Sequence, residues 1–248
     1  MEHVDSKSVI FLGNSQSTWA DLSNNMKYST SFISLLDNHL KKYGIFSMKY
    51  TVSSFSIDML DNQFFEIMGA NNPKIAVMQF GIIECARRIL PKHWRIFLKE
   101  YRLGRKLTFA LHDNHYKWLE FCNKFGFYFQ DVPLEQYSFH ADCICSKLRQ
   151  SDIAGCFIAI PLLSDICLEQ RLPDTNKFIV EYNNALIEIC LRHDIKVVDI
   201  QQDYINSGKN LEDFFVGNTV HLSEDGHKAA FVALKPELER LLNIGVHG

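Results

Sequence analysis

Short apolar runs, each closed by a glycine or a polar turn, alternate along this chain with longer stretches whose apolar residues recur every three to four positions. Val9-Ile10-Phe11-Leu12 stops at Gly13 and passes directly into Asn14-Ser15-Gln16-Ser17. A continuous apolar run of this length with a Gly-polar end reads as a buried strand entering a tight turn, here over residues 8–12. Residues 28–43 place Phe32, Ile33, Leu35, Leu36 and Leu40 at helical spacing. Gly44 closes that helix, and Lys41 and Lys42 lie in its last turn, where the macrodipole favours cations. A second strand follows at 46–52, then the polar turn Ser53-Ser54-Phe55-Ser56, a helix over 57–68, and a third strand over 75–80 closed by Gly81. Later come a strand at 155–161, a helix at 175–193, a strand at 195–200 and a final helix at 224–242.

Five strands alternating with helices predict a parallel sheet covered on both faces, a three-layer α/β/α sandwich. Repeats, low-complexity tracts and Gly- or Pro-rich linkers are absent, which predicts one domain over 1–248 with a helical insertion at about 86–150. A dinucleotide-binding fold is the competing architecture, but no Gly-x-Gly-x-x-Gly follows the first strand. In open α/β sheets ligands gather at the carboxyl ends of strands, which is where Ser15 falls. A serine there is more often a turn former or helix cap than a nucleophile.

Bulk properties narrow the picture. Hydrophobic residues make up 47% of the 248 and charged residues 22%, enough for a sizeable core. A formal charge of −3 argues against a polyanion binder as a whole. Seven cysteines, an odd number without a Cys-x-x-Cys, fit reduced thiols and a cytoplasmic setting. The N-terminal residues lack a basic stretch followed by an apolar one, and no run approaches the ~18 apolar residues of a membrane span.

The Gly13-Asn14-Ser15 block and the distant Asn218-Thr219-Val220-His221 block together resemble the SGNH (GDSL-type) hydrolase family, whose corresponding blocks read Gly-Asp-Ser and Asp-x-x-His. Gly81-Ile82-Ile83-Glu84-Cys85-Ala86-Arg87-Arg88 is similar to the Gly-Ile-Val-Asp-Cys-Ala-Pro-Arg stretch of a subgroup associated with bacterial surface-glycan biosynthesis. The resemblance runs in order from Val9 to about Leu241 and implies the flavodoxin-like SGNH fold. It also implies Ser15 as nucleophile, His221 as base and Asn218 as the group that orients the ring. Asn14 and Gly81 fall at supporting positions, and Ser53 or Ser54 at a glycine of the oxyanion hole. Several letters differ: Asn14 and Asn218 stand for Asp, Ile83 for an Asn donor, and Glu84 for the subgroup's Asp. An Asp-to-Asn change in the serine-protease triad lowers turnover by ~10⁴, so Asp213 and Asp225 are considered as alternative acids.

The activity so implied is ester hydrolysis or acyl transfer on an O-acylated carbohydrate through a Ser-His acyl-enzyme. No cofactor is implied, beyond an acyl-CoA donor in the transferase case. The alternative is a non-catalytic carbohydrate-binding or assembly protein on the same fold. Outside these motifs, Arg87, Arg88, Lys92, Arg95, Lys99, Arg102, Arg105 and Lys106 face a single acid, Glu100, while Leu90, Trp94, Phe97, Leu98 and Tyr101 share one helical face. The bland reading is a solvated face over apolar packing. The functional readings are an anionic ligand such as a lipid-linked glycan phosphate, or an anionic membrane surface. Glu84, Arg88 and Arg95 are the residues assigned to substrate. Nucleic acid is disfavoured, because the rest of the chain is net acidic and no nucleic-acid-binding motif occurs. His112-Asp113-Asn114-His115 has a helical metal spacing without a third ligand, which favours a solvated face. His227, just after Gly226, reads as structural.

Overall fold

A computed structural model describes residues 8–17, 30–52, 54–101, 104, 106, 115–125, 128–170, 172–217 and 219–244. The five strands are β1 (Ser8–Gly13), β2 (Phe46–Thr51), β3 (Ile75–Gln79), β4 (Ala154–Ile158) and β5 (Lys196–Val198). They pair in the order β2-β1-β3-β4-β5, and all four pairings are parallel. The expected α/β sheet is therefore present and wholly parallel. β1 and β3 are buried on both faces, which is why they read as continuous apolar runs instead of alternating ones.

The principal helices are α1 (Phe32–Lys41), α2 (Ile57–Asn71), α3 (Ile82–Cys85), α4 (Lys92–Glu100), α5 (His115–Lys124) and α6 (Leu134–Gln150). After β4 come α7 (Asp165–Gln170), α8 (Thr175–Arg192), α9 (Gln202–Asn206) and α10 (Glu224–Leu242). α1 packs on α10, while α6 packs on both α2 and α8. Right-handed crossovers place these two groups on opposite faces of the sheet. α1 begins where Ser31 Oγ accepts from the Ser34 N–H at 3.3 Å and ends before Gly44 at φ +70°.

The insertion departs from the sequence expectation in two respects. α6 is the core crossover between β3 and β4, burying Tyr137, Ala141, Ile144, Cys145 and Leu148. The basic helix begins only at Lys92, after Pro91, so Arg87 and Arg88 precede it in extended chain. The steric restriction on the residue before a proline accounts for the late start. An antiparallel bridge between Arg88 and Phe129, with N–H···O distances of 2.6 and 2.9 Å, closes the neck of the excursion. None of the seven cysteines forms a disulfide, and five of them are buried.

Candidate active site

In this strand order the chain reverses direction between β1 and β3, and the crevice beyond their carboxyl ends is the usual ligand position. Ser15, partly exposed, opens a short 3-10 turn at Ser15–Ser17 immediately after β1. Asn14 is buried and its Oδ1 accepts from the Gln16 N–H at 3.0 Å, an Asx turn that fixes the bend from strand into 3-10 turn.

His221 lies on a loop closed by an antiparallel bridge between Phe215 and Leu222, both buried. Within the loop the Val216 N–H donates to His221 O at 2.9 Å, and the His221 N–H donates to Thr219 Oγ1 at 3.2 Å. The helix that follows is capped by Ser223, whose Oγ accepts from the Gly226 N–H at 3.1 Å. Gly226 is required there, because a Cβ would stand 2.2 Å from Phe214 O.

The two loops are joined through Gln16. Its Nε2 donates to Val220 O at 2.8 Å, across 204 positions of sequence, and its Oε1 accepts from Gln79 Nε2 at 3.2 Å. The residue after Ser15 is thus tied to the residue before His221 and to the last residue of β3. Gln16 is 1% exposed, so both bonds form away from bulk water, where leaving them unmade would be costly. Sequence reading missed Gln16, because a glutamine in a polar turn carries no pattern that distinguishes a buried bridge from a solvated side chain.

The wall beside β3 is organised by Glu84, which is completely buried. Its Oε1 accepts from the Ile57 N–H and its Oε2 from the Gly81 N–H, each at 2.8 Å. One carboxyl therefore braces the start of α2 and the turn after β3. Burial pushes this carboxyl up to about 7, with the backbone N–H groups of Ile57, Glu84 itself and Gly81 pulling the other way. The assignment of Glu84 to substrate is corrected accordingly: both oxygens are occupied and none of the residue reaches the surface. Gly81 likewise supports the wall, since its N–H already serves Glu84. It holds φ +123°, and a Cβ there would lie 2.1 Å from Ile160 Cδ1, so any other residue would be strained and would have to displace Ile160.

Of the two serines set against the family's glycine, Ser53 lies outside the described residues. Ser54 holds φ +65°, a backbone region that glycine adopts most cheaply. Asn218, the expected orienting residue, also lies outside the described residues. Asp213 and Asp225 are both exposed, and Asp225 pairs with Lys228 at 3.8 Å in the first turn of α10. His227 is fully buried, and its Nδ1 accepts from the Phe32 N–H at 3.3 Å, stapling α10 to the start of α1.

The cations of the excursion are less available than their sequence suggests. Arg95 forms an ion pair with Asp131, and the same carboxylate counters the downward pull of burial on Arg88. Arg87 is buried, donates to Asp174 Oδ2 at 3.0 Å and lies over the rings of Tyr128 and Phe178. Arg102, Arg105, His112, Asp113 and Asn114 lie outside the described residues.

Comparison with solved structures sets this geometry in context. A lipase/acylhydrolase from Enterococcus faecalis superposes with a TM-score of 0.64 at 10% identity, covering 94% of this chain and 96% of that one. A GDSL-like lipase from Bacteroides thetaiotaomicron gives 0.61 at 12% identity, over 95% and 89% of the two chains. A catalytic mutant of Axe2, an acetylxylan esterase from Geobacillus stearothermophilus, gives 0.62 at 15% identity over 94% of each. The chain shares the fold of these three structures. Identities this low establish the fold alone. The sequence matches no family profile, and no curated protein is significantly similar to it. Within this fold, Ser15 and His221 occupy loops at one edge of the sheet, joined by Gln16. Among the described residues no helix is long and apolar enough to cross a membrane.

Proposed function

We propose that the chain is a serine ester hydrolase or O-acyltransferase acting on an O-acylated carbohydrate. The observation that carries this reading is the Gln16 bridge, which ties the Ser15 turn to the His221 loop at the switch point of the sheet. Ser15 Oγ attacks the acyl carbon while the His221 imidazole takes its proton. The tetrahedral intermediate collapses when His221 returns that proton to the departing sugar oxygen, leaving the acyl group on Ser15. Water or a second sugar hydroxyl, deprotonated by His221, then takes the acyl group and restores the serine. In the transferase case an acyl-CoA would load Ser15. Asn218, three positions before His221, is the group assigned to orient the ring, and backbone N–H groups near Ser15 and Ser54 are the oxyanion donors. The carbohydrate class rests on the Gly81–Arg88 resemblance; one solved structure of the same fold is an acetylxylan esterase.

A fluorophosphonate probe tests the reading without knowledge of the natural substrate. Wild type should label at Ser15, Ser15→Ala should not label at all, and His221→Ala should label far more slowly. Hydrolysis of a small acetyl ester should fall by roughly 10⁴-fold or more in Ser15→Ala. An unlabelled wild type that retains affinity for acetylated oligosaccharides would instead identify a binding protein on this fold.

A further inference from the structure

The excursion between Arg88 and Phe129 carries two helices whose aromatic residues face outward. Trp94 and Phe97 lie on α4 and Tyr101 directly follows it, with 52, 49 and 53% exposure; Trp118 and Phe121 lie on α5 and Phe125 directly follows it, with 44, 55 and 60%. Both sets have the spacing i, i+3, i+7 in sequence, and the first two of each share one helical face. Successive rings meet edge-on or tilted, with centroids 6.2 and 4.9 Å apart in the first set and 6.2 and 5.1 Å apart in the second. Leu119, next to Trp118, is fully buried, so α5 packs inward through its other side. The expectation of apolar packing beneath a solvated basic face is therefore corrected: these aromatic residues form the outer surface.

Charge indicates what covers that surface. Residues 89–128 contain eight Lys or Arg and three Asp or Glu, a formal net of +5 against −8 on the rest of a chain whose total is −3; the pairing of Lys92 with Asp58 and of Arg95 with Asp131 reduces the local excess to +3. Lys106 and Lys117 are exposed among these cations. A second copy applied through the same face would set like charge against like charge. An anionic plane is attracted to the excursion and repelled by the remainder, which also sets orientation. Tryptophan, tyrosine and phenylalanine interleaved with lysine are the residue types that settle at the boundary of headgroups and acyl chains.

We propose that the exposed aromatic residues at α4 and α5 dock this protein peripherally on an anionic lipid surface. The six aromatic rings enter the interface and the lysines contact acidic headgroups. The excursion leaves the sheet through α3, on the side of the carboxyl end of β3 from which Ser15 also emerges after β1. The proposal does not depend on Ser15 being a nucleophile.

Co-sedimentation of the full chain with phosphatidylcholine vesicles, with and without 30% phosphatidylglycerol, tests it. Partitioning should be about tenfold or more stronger on the anionic vesicles and should weaken with salt, because exposed charges are screened beyond ~8 Å at physiological ionic strength. Two of the three tryptophans lie on the proposed face, so acyl-brominated lipid should quench wild-type emission. Lys106→Gln with Lys117→Gln should lose roughly fivefold per cation on anionic vesicles and nothing on neutral ones. Trp118→Ser with Phe121→Ser should lose binding on both while keeping the wild-type melting temperature. Absence of wild-type binding to anionic vesicles overturns the proposal, as does binding that survives both double substitutions. Self-association abolished by Trp118→Ser with Phe121→Ser, without vesicle binding, would assign the face to a second copy and overturn it equally.

Discussion

Replacing Glu84 with glutamine changes one oxygen of a fully buried carboxyl into an NH₂ group at nearly constant volume. Wild-type Glu84 accepts from two backbone N–H groups, at Ile57 and Gly81. Glutamine can accept from only one and sets a donor against the other, a loss of about 1–3 kcal/mol for a buried N–H left unsatisfied. That cost is opposed by a second effect. Burial raises the Glu84 carboxyl from its usual 4.5 to about 7, so the folded state binds a proton more tightly than the unfolded one. The associated stability is fully present below about pH 4.5 and is lost as pH rises towards 7. At ~1.36 kcal/mol per unit, the loss amounts to about 3 kcal/mol. Glutamine does not titrate, and other ionisable groups are shared, so the difference between the two proteins isolates Glu84. Urea unfolding at fixed ionic strength should show Glu84→Gln less stable at pH 5. The deficit should shrink, by up to about 3 kcal/mol, on going to pH 8. A deficit that grows with pH would refute the reasoning, because it would mean the two N–H donors outweigh desolvation and hold the carboxylate ionised.

Gly81→Ala forces a side chain into a positive-φ position 2.1 Å from Ile160 Cδ1 and should cost roughly 2–4 kcal/mol, read as a lower melting temperature. Gln16→Leu removes the bonds to Val220 and Gln79. It should lower kcat on a small acetyl ester by up to about 10²-fold with little change in KM, since it displaces the reacting groups without touching substrate. Unchanged kcat in a folded Gln16→Leu protein would separate the bridge from catalysis. Asn218→Asp should raise hydrolysis of the same ester, by up to the ~10⁴ that the reverse substitution removes in serine proteases; a fall would show that another group orients His221.

The sequence by itself determined the layers of this protein. Buried strands such as Val9–Leu12 appear as uninterrupted apolar runs because both faces of a parallel strand are covered, and the helices between them appear through their 3.6-residue period. The order of these elements, with right-handed crossovers, suffices to put the Ser15 turn and the carboxyl end of β3 at one edge. Motif resemblance then singled out Ser15 and His221, because a short block can be matched without knowing its partners.

Only the tertiary structure decided which way the polar side chains turn and which helical faces are covered. Gln16 and Val220 meet across 204 positions, a contact that no local pattern encodes. Glu84 reads as a group for substrate because it follows β3 at the same edge as Ser15, yet it turns inward and accepts from the Ile57 and Gly81 N–H groups. Arg95, assigned by sequence to substrate, is instead met by Asp131, which the closure at Phe129 brings back to it. The aromatic residues of α4 show the same limit. Periodicity reports that Trp94, Phe97 and Tyr101 share a face, but whether that face is covered depends on what packs against it. Here the described chain leaves it about half exposed to solvent.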